Sequence, residues 1–297
     1  MAGLGRPGLS RGGVIVSVIG VVVLTIAVGA LSVLAYQRTQ PTDAGETARP
    51  APTFTFGTDS TATPSSTPAV APAPGAEERF LSVGASAMWR ATAGECGVTA
   101  PVIERSGDEG ETWADVTPLY QDIAQVRALT SFGGVNATAI SDIGDACATT
   151  ALRTFTDGRF WEPNAEVFAT ATYAPRTAGT VVVTGADVAA PCPTPWAVRA
   201  SGTTTVLICD GTAYLWGGNS WQALTTQARA ITVDSAGVVV GHVTQDCAGL
   251  QLTRFAESET ILGCVEGDVA GEVAIDLDGD EVVVWSAAGI SRTVSDG

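Results

Sequence analysis

Hydrophobic positions divide the chain into three stretches of different pattern. Val14–Tyr36 is an apolar run without a charged residue. At ~1.5 Å per residue a helix of that length covers roughly 30 Å, the hydrocarbon thickness of a bilayer. The run predicts a transmembrane helix over 14–36, after a short tail at 1–13. Residues 37–76 have no apolar period and hold seven of the 15 prolines, among many Thr, Ser and Ala. They read as an extended, disordered linker. From 77 to 297 the apolar residues fall in short runs separated by Gly, Asp and Ser. Leu81–Ser86, Met88–Thr92, Val98–Arg105 and Thr112–Val116 predict β-strands. Only Leu119–Ala124 could form a helical turn.

The strand pattern repeats. Gln125-Val126-Arg127-Ala128-Leu129-Thr130 returns as Gln227-Ala228-Arg229-Ala230-Ile231-Thr232. Arg79, Arg127, Arg176 and Arg229 mark one position per unit, each followed by a cysteine: Cys96, Cys147, Cys192 and Cys247. A fifth unit starts near Val273, where Ala274–Val284 parallels Ala230–Val240. Arg292–Gly297 parallels Arg153–Gly158, so the fifth unit is one strand short at residue 297. Four strands in ~45–50 residues make a propeller blade. The expected fold is all-β: a five-bladed β-propeller over 77–297, behind one N-terminal transmembrane helix and a disordered linker. Glu78–Val83 is the expected donor of the missing strand, which would bury both open edges.

The first unit carries Ser106-Gly107-Asp108-Glu109-Gly110-Glu111-Thr112-Trp113. Asp108 can accept hydrogen bonds from turn amides, Gly110 permits positive φ, and Trp113 offers a ring to bury beneath the turn. The S-x-D-x-G-x-T-W string resembles the Asp-box, or BNR repeat, of sialidase-like β-propellers. Thr156–Trp161 and Gly217–Trp221 are decayed copies. The resemblance implies a structural role for Ser106, Asp108, Gly110, Thr112 and Trp113, away from any active site. It does not extend to the enzyme. No Arg-Ile-Pro string is present, and Tyr120, Tyr173 and Tyr214 stand in no nucleophile context. Glu109 and Glu111 sit on a turn, which forms no cleft for a carboxylate pair.

Charge narrows the partners. The chain has no lysine and a formal net charge of −16. Four arginines but only three acids precede residue 77, so the folded part is more acidic still. Such a field excludes nucleic acid as a partner. Arg6 and Arg11 before the apolar run favour a cytoplasmic N-terminus and an extracytoplasmic remainder. Cleavage after Val28-Gly29-Ala30 is the alternative reading of the same run.

Six cysteines in an exported domain read as three disulfides. Six allow 15 pairings. Equal spacing favours Cys192–Cys209 and Cys247–Cys264, each between adjacent strands of one blade, and leaves Cys96–Cys147 between blades. His242 is the only histidine, which argues against zinc and histidine-based catalysis. Asp276, Asp278 and Asp280 are weak calcium candidates, but Asp278-Gly279 between apolar runs reads first as a hairpin turn. No cofactor is implied. Trp89, Trp196 and Trp216 are candidate exposed rings. The arginines of the repeat could pair within their blades or ring one face. The whole predicts a membrane-anchored, extracytoplasmic recognition or scaffold module for an envelope or membrane protein. A glycan-binding domain or divergent glycoside hydrolase is the alternative.

Overall fold

The computed structural model describes residues 72–267 and 272–294. These belong to one compact unit, Ser65–Gly297. The expected tail, membrane helix and most of the linker lie outside the described residues. Among those described, no helix is long and apolar enough to cross a membrane.

Five antiparallel sheets follow one another along the chain. Blade 1 holds β1 (Arg79–Val83), β2 (Met88–Thr92), β3 (Val102–Ser106) and β4 (Ala114–Asp115). Blade 2 holds β5 (Ile123–Phe132), β6 (Asn136–Ile143), β7 (Ala148–Thr154) and β8 (Glu162–Pro163). Helix α1 (Ala165–Ala169) and the hairpin of β9 (Thr180–Val183) and β10 (Ala186–Ala189) come next. Blade 3 holds β11 (Trp196–Ser201), β12 (Thr204–Cys209), β13 (Thr212–Trp216) and β14 (Trp221–Thr225). Blade 4 holds β15 (Ala228–Asp234), β16 (Gly237–His242), β17 (Gly249–Phe255) and β18 (Glu259–Glu266). Blade 5 holds β19 (Ala274–Asp278), β20 (Glu281–Ser286) and β21 (Gly289–Val294). The chain is an all-β, five-bladed propeller.

Both faces of each sheet are covered, which explains unbroken apolar runs such as Val238–Val240 and Val282–Val284. Phe80, Trp89, Ile103 and Trp161 fill the space between blades 1 and 2. Val206, Ile208, Ile231 and Val240 join blades 3 and 4. Leu250, Leu252, Ile275 and Val284 join blades 4 and 5. Between blades 2 and 3 the α1–β9–β10 insert acts as a wedge. Tyr173 and Val182 pack on Ile140 and Ala151 of blade 2, and Val181 and Cys192 pack on Val198 and Leu207 of blade 3.

The insert displaces the repeat. Arg176 belongs to the insert, and the inner strand of blade 3 carries Arg199 instead. An added segment followed by a blade with very tight turns preserves the arginine spacing while changing its meaning. The Glu78–Val83 donor is also corrected: Arg79–Val83 pairs with β2, from Arg79↔Thr92 to Val83↔Met88, as the inner strand of blade 1. Blade 5 has three strands among the described residues. The fold also begins before Glu77, since Gly94 N donates to Ala76 O at 3.0 Å. Leu119–Gln121 is a 3-10 turn.

Side chains close the ring at the seam of blades 5 and 1. The guanidinium of Arg79 lies 4.7 Å from the Trp285 ring, and that of Arg90 lies 4.9 Å from Trp285 and 4.1 Å from Trp113. Trp285 also packs with Leu81, Met88 and Val283. Alternating cations and rings of this kind add roughly 0.5–2 kcal/mol each beyond apolar burial.

The antiparallel meander gives the ring two faces. Inner strands start at one, here the mouth face, together with the β2–β3 and β6–β7 loops. The other, the turn face, carries the β1–β2 hairpin, the β3–β4 turn and their equivalents. All three disulfides lie at the mouth face. Cys96–Cys147 ties a loop of blade 1 to one of blade 2, and Cys247–Cys264 ties the loop before β17 to β18. Cys192–Cys209 joins the insert to the end of β12, so it is not a bridge between adjacent strands of one blade. Closing loops of these lengths contributes about 3–4 kcal/mol each. Three disulfides mark an oxidising, extracytoplasmic compartment.

Candidate functional site

At the mouth face a cavity of about 390 Å³ opens between blades 1 and 2 and the insert. Glu78, Glu95, Arg127, Arg176, Pro193 and Trp196 are among its lining residues. A neighbouring hollow of about 300 Å³ shares Glu95, Gln125, Arg127 and Arg176. On the turn-face side, beneath the insert, a third cavity of about 410 Å³ is lined by Thr130, Thr138, Thr170, Thr172, Thr184 and Arg199.

Charged groups cross the ring axis between these cavities. Glu78 accepts a 2.8 Å hydrogen bond from Ala197 N, from blade 1 to blade 3. Ala197 has φ of +49, in the bulge that interrupts β11 between Trp196 and Arg199, so this bond holds a backbone shape a non-glycine residue rarely adopts. Arg199 reaches back, donating to Arg79 O at 3.3 Å over the Phe80 ring. Asp276 on β19 accepts from Val83 N at 2.7 Å and Thr232 Oγ1 at 2.9 Å, linking blade 5 to blades 1 and 4. Burial pushes the Glu78 carboxyl up, against the nearby Arg199 and Arg127. Burial likewise raises Asp276 and lowers Arg199. Both are half-buried.

The arginines do not form a ring of equivalent groups. Arg127 grips buried Asp142, with Nη2 at 2.6 Å from Oδ2, and also reaches Gln125 Oε1 and Ala174 O of the insert. Arg79 stacks on Trp285. Arg229 faces Glu272, whose carboxyl is pushed up by burial and held down by Arg79 and Arg229. Arg176 is exposed at the cavity rim.

The octapeptide turn lies on the turn face, away from the cavity. Asp108 Oδ1 accepts from Ser106 Oγ at 2.7 Å and Thr112 N at 2.9 Å, and Oδ2 accepts from Thr112 Oγ1. Ser106 Oγ accepts from Gly110 N at 2.8 Å, and Trp113 Nε1 donates to Gly110 O at 3.0 Å. Gly110 has φ of +92. The Thr112 hydroxyl and amide, with Ser106, hold the Asp108 carboxyl down at about 2. In the decayed copy Thr154 replaces Ser106 and Thr156 replaces Asp108. Thr156 Oγ1 accepts from Phe160 N at 2.8 Å and lies 3.4 Å from Thr154 Oγ1, and Trp161 Nε1 donates to Val116 O.

The other candidates scatter. Both Asp276 oxygens hold protein donors, and Asp278 pairs with Arg292 at 2.7 Å. Asp280 is exposed in the turn between β19 and β20, so the three aspartates do not converge. Trp89 and Trp196 are core, at 0% and 5% exposure. Trp216 is half-buried against Trp221, ring centroids 5.0 Å apart. His242 is buried in β16, with Nε2 2.9 Å from Thr253 Oγ1. Sequence reasoning missed Glu78 and Arg199. A signal for Arg199 existed, since Val198-Arg199-Ala200 copies Val126-Arg127-Ala128.

No protein-family model and no curated protein matches this chain. Among solved structures, YCF48 bound to a D1 peptide is 14% identical with a TM-score of 0.29, over 73% of this chain and 63% of that one. The chain therefore spans less than two thirds of the YCF48 chain. The fucose-specific lectin from Aleuria aurantia is 12% identical with a TM-score of 0.43, over 73% and 94%. The β-propeller domain of the trilobed protease from Pyrococcus furiosus is 9% identical with a TM-score of 0.40, over 74% and 96%.

Proposed function

We propose that this chain is a non-catalytic recognition module of the cell envelope, anchored through residues 14–36, that binds a partner protein in the mouth-face cavity. The carrying observation is how the cavity's polar groups are used. Arg127 is committed to Asp142, and Glu78 to Ala197 N. Arg176, exposed at the rim beside Pro175 and Pro193, is left for a ligand. A concave site with mostly small apolar walls and one cation that has no partner among the described residues suits an extended segment bearing a carboxylate. The disulfide between blades 1 and 2 and the bridge from insert to blade 3 fix the walls, which lowers the entropic cost of binding.

The test is co-purification from crosslinked cells of the tagged full-length chain beside its Arg176→Glu variant. A stoichiometric envelope protein with the parent, depleted at least about 10-fold with the variant, supports the proposal; that ratio corresponds to ~1.4 kcal/mol. Equal recovery with both would contradict it. A second reading, a divergent glycoside hydrolase, is favoured by one observation: Glu78, pushed up by burial, and Glu95 line the same cavity. Sugar release from cell-wall polysaccharide that Glu95→Gln abolishes would put that reading first.

A further inference from the structure

The insert fills only part of the gap between blades 2 and 3. Beneath it, on the turn-face side, the cavity of about 410 Å³ remains, a volume within the range of small-molecule sites. Ala128, Ile140 and Ala200 give it small apolar walls, and five threonines line it. Among the described lining residues Arg199 is the one charged group and none is acidic. In a chain with 31 acids against 15 arginines, acids are kept out of this space. We propose that the cavity binds a small carboxylate whose body carries hydroxyl groups, the chemistry of a sugar acid, with Arg199 as the partner of the carboxylate.

The first support is how Arg199 is used. An arginine stays charged inside a protein and offers several N–H donors. Nη1 donates to Val198 O at 3.0 Å and Nη2 to Arg79 O at 3.3 Å, both neutral carbonyls. Nε is buried and has no hydrogen-bond partner among the described residues. The two nearby acids are committed elsewhere: Glu78 accepts from Ala197 N, and Asp276 from Val83 N and Thr232 Oγ1. Burial works against the charge of Arg199, and these two acids only oppose that effect from a distance. A buried cation without an ionic partner is costly. A carboxylate entering the cavity would supply the partner, through charge-assisted bonds about twice as strong as neutral ones.

The second support is the threonines. Thr130 and Thr138 are paired across β5 and β6. Thr172 Oγ1 accepts from Thr184 N at 2.9 Å, which leaves its own hydrogen to donate elsewhere. The hydroxyls of Thr130 and Thr184 make no hydrogen bond to the protein among the described residues. A hydroxyl both donates and accepts, so a cluster of them matches a hydroxylated body better than an apolar one. The third support is rigidity. The insert packs on blade 2 through Tyr173 and Val182 and on blade 3 through Val181, and Cys192–Cys209 locks it there. Fixed walls lower the entropic cost of binding. Glu78, Glu95 and Arg176 line the mouth-face cavity and not this one, so the inference stands independently of the mouth-face reading.

Titration calorimetry on the full-length chain in a sugar-free detergent tests this. D-glucuronate is the probe, glucose its neutral counterpart and inorganic phosphate the bare oxyanion. Glucuronate is expected to bind saturably with Kd at or below ~1 mM, at least ~10-fold tighter than glucose or phosphate. Arg199→Gln should weaken glucuronate at least ~10-fold. Ala200→Phe, at an exposed lining position, should do the same by filling the cavity, and decides the matter if Arg199→Gln fails to fold. Arg176→Glu should leave glucuronate binding unchanged. No binding at ~10 mM glucuronate overturns the proposal. So does glucose binding as tightly as glucuronate, which removes the need for the carboxylate, and so does phosphate doing so, which removes the need for the hydroxylated body. Affinity that survives Ala200→Phe, or that is lost with Arg176→Glu, would place the sugar acid elsewhere and overturn it too.

Discussion

The two faces of the ring are stabilised by different chemistry. The turn face adds short-range bonds within single turns, where Asp108 holds Ser106 and Thr112, residues two and four positions away, to inter-blade bonds such as Ser131 N to Ser82 Oγ and Arg105 to Asp157. The mouth face holds all three disulfides and further long-range ties. Cys96–Cys147, Glu78 to Ala197 and Arg127 to the insert join residues far apart in sequence. Local turns can be lost one at a time, as the step from Asp108 to Thr156 shows. Long-range ties act together and fix the relative positions of blades. That rigidity is what a binding cavity needs, and the cavity with the exposed Arg176 is on that face.

The comparison breaks most visibly at Arg127. Arg127→Ala leaves Asp142 buried without its cation, an expected loss of about 3–5 kcal/mol by urea unfolding. The paired Cys192→Ser and Cys209→Ser substitutions should cost about 3 kcal/mol, and should loosen the insert before the blades in hydrogen exchange.

Acid sharpens the contrast. The carboxyls of Glu78, Glu272 and Asp276 are raised by burial above ordinary values of 4.5, 4.5 and 3.8. A raised carboxyl favours the folded state when protonated. Its contribution is therefore complete below the ordinary value and lost as pH rises through the folded one. Asp108 runs the other way: its contribution is present above 3.8 and lost as pH falls towards about 2. His242, lowered by burial, also favours higher pH, losing its contribution as pH drops below 6.5 through its lowered folded value. Thermal melts of Glu78→Gln should show a midpoint above the parent's at pH 7.5, with the gap closing towards pH 4.5. A variant that melts lower at pH 7.5 would contradict the assigned burial.

The smallest effects belong to the turn face. Asp108→Ala should lower the midpoint less than either mouth-face change and leave partner binding intact. Thr156→Asp should raise it slightly, because the second carboxylate oxygen can accept the bonds Thr156 cannot.

Local patterns were legible in the sequence. Short apolar runs between Gly, Asp and Ser marked the strands, Gly110 marked a left-handed turn, and Cys247–Cys264 followed from spacing. What failed was long-range. Counting by arginines made Arg176 the equivalent of Arg127 and Arg229 in its own unit, because an insert plus a short blade mimics one period. Glu78–Val83 was given to blade 5, because nothing in those residues states which sheet they join. Glu78 gave no local signal: its partner, Ala197 N, becomes a neighbour only when blades 1 and 3 meet across the axis. Trp89 and Trp196 could not be sorted from exposed rings by type, since both faces of every blade are buried.

The central claim is that recognition happens at the mouth face. The most direct measurement places a photo-crosslinking amino acid at Thr194, on the cavity rim, and in parallel at Ser235, on the turn face of blade 4. The account predicts one discrete protein adduct in cells from Thr194, lost on adding Arg176→Glu, and none from Ser235. Adducts from Ser235 with none from Thr194 would contradict it.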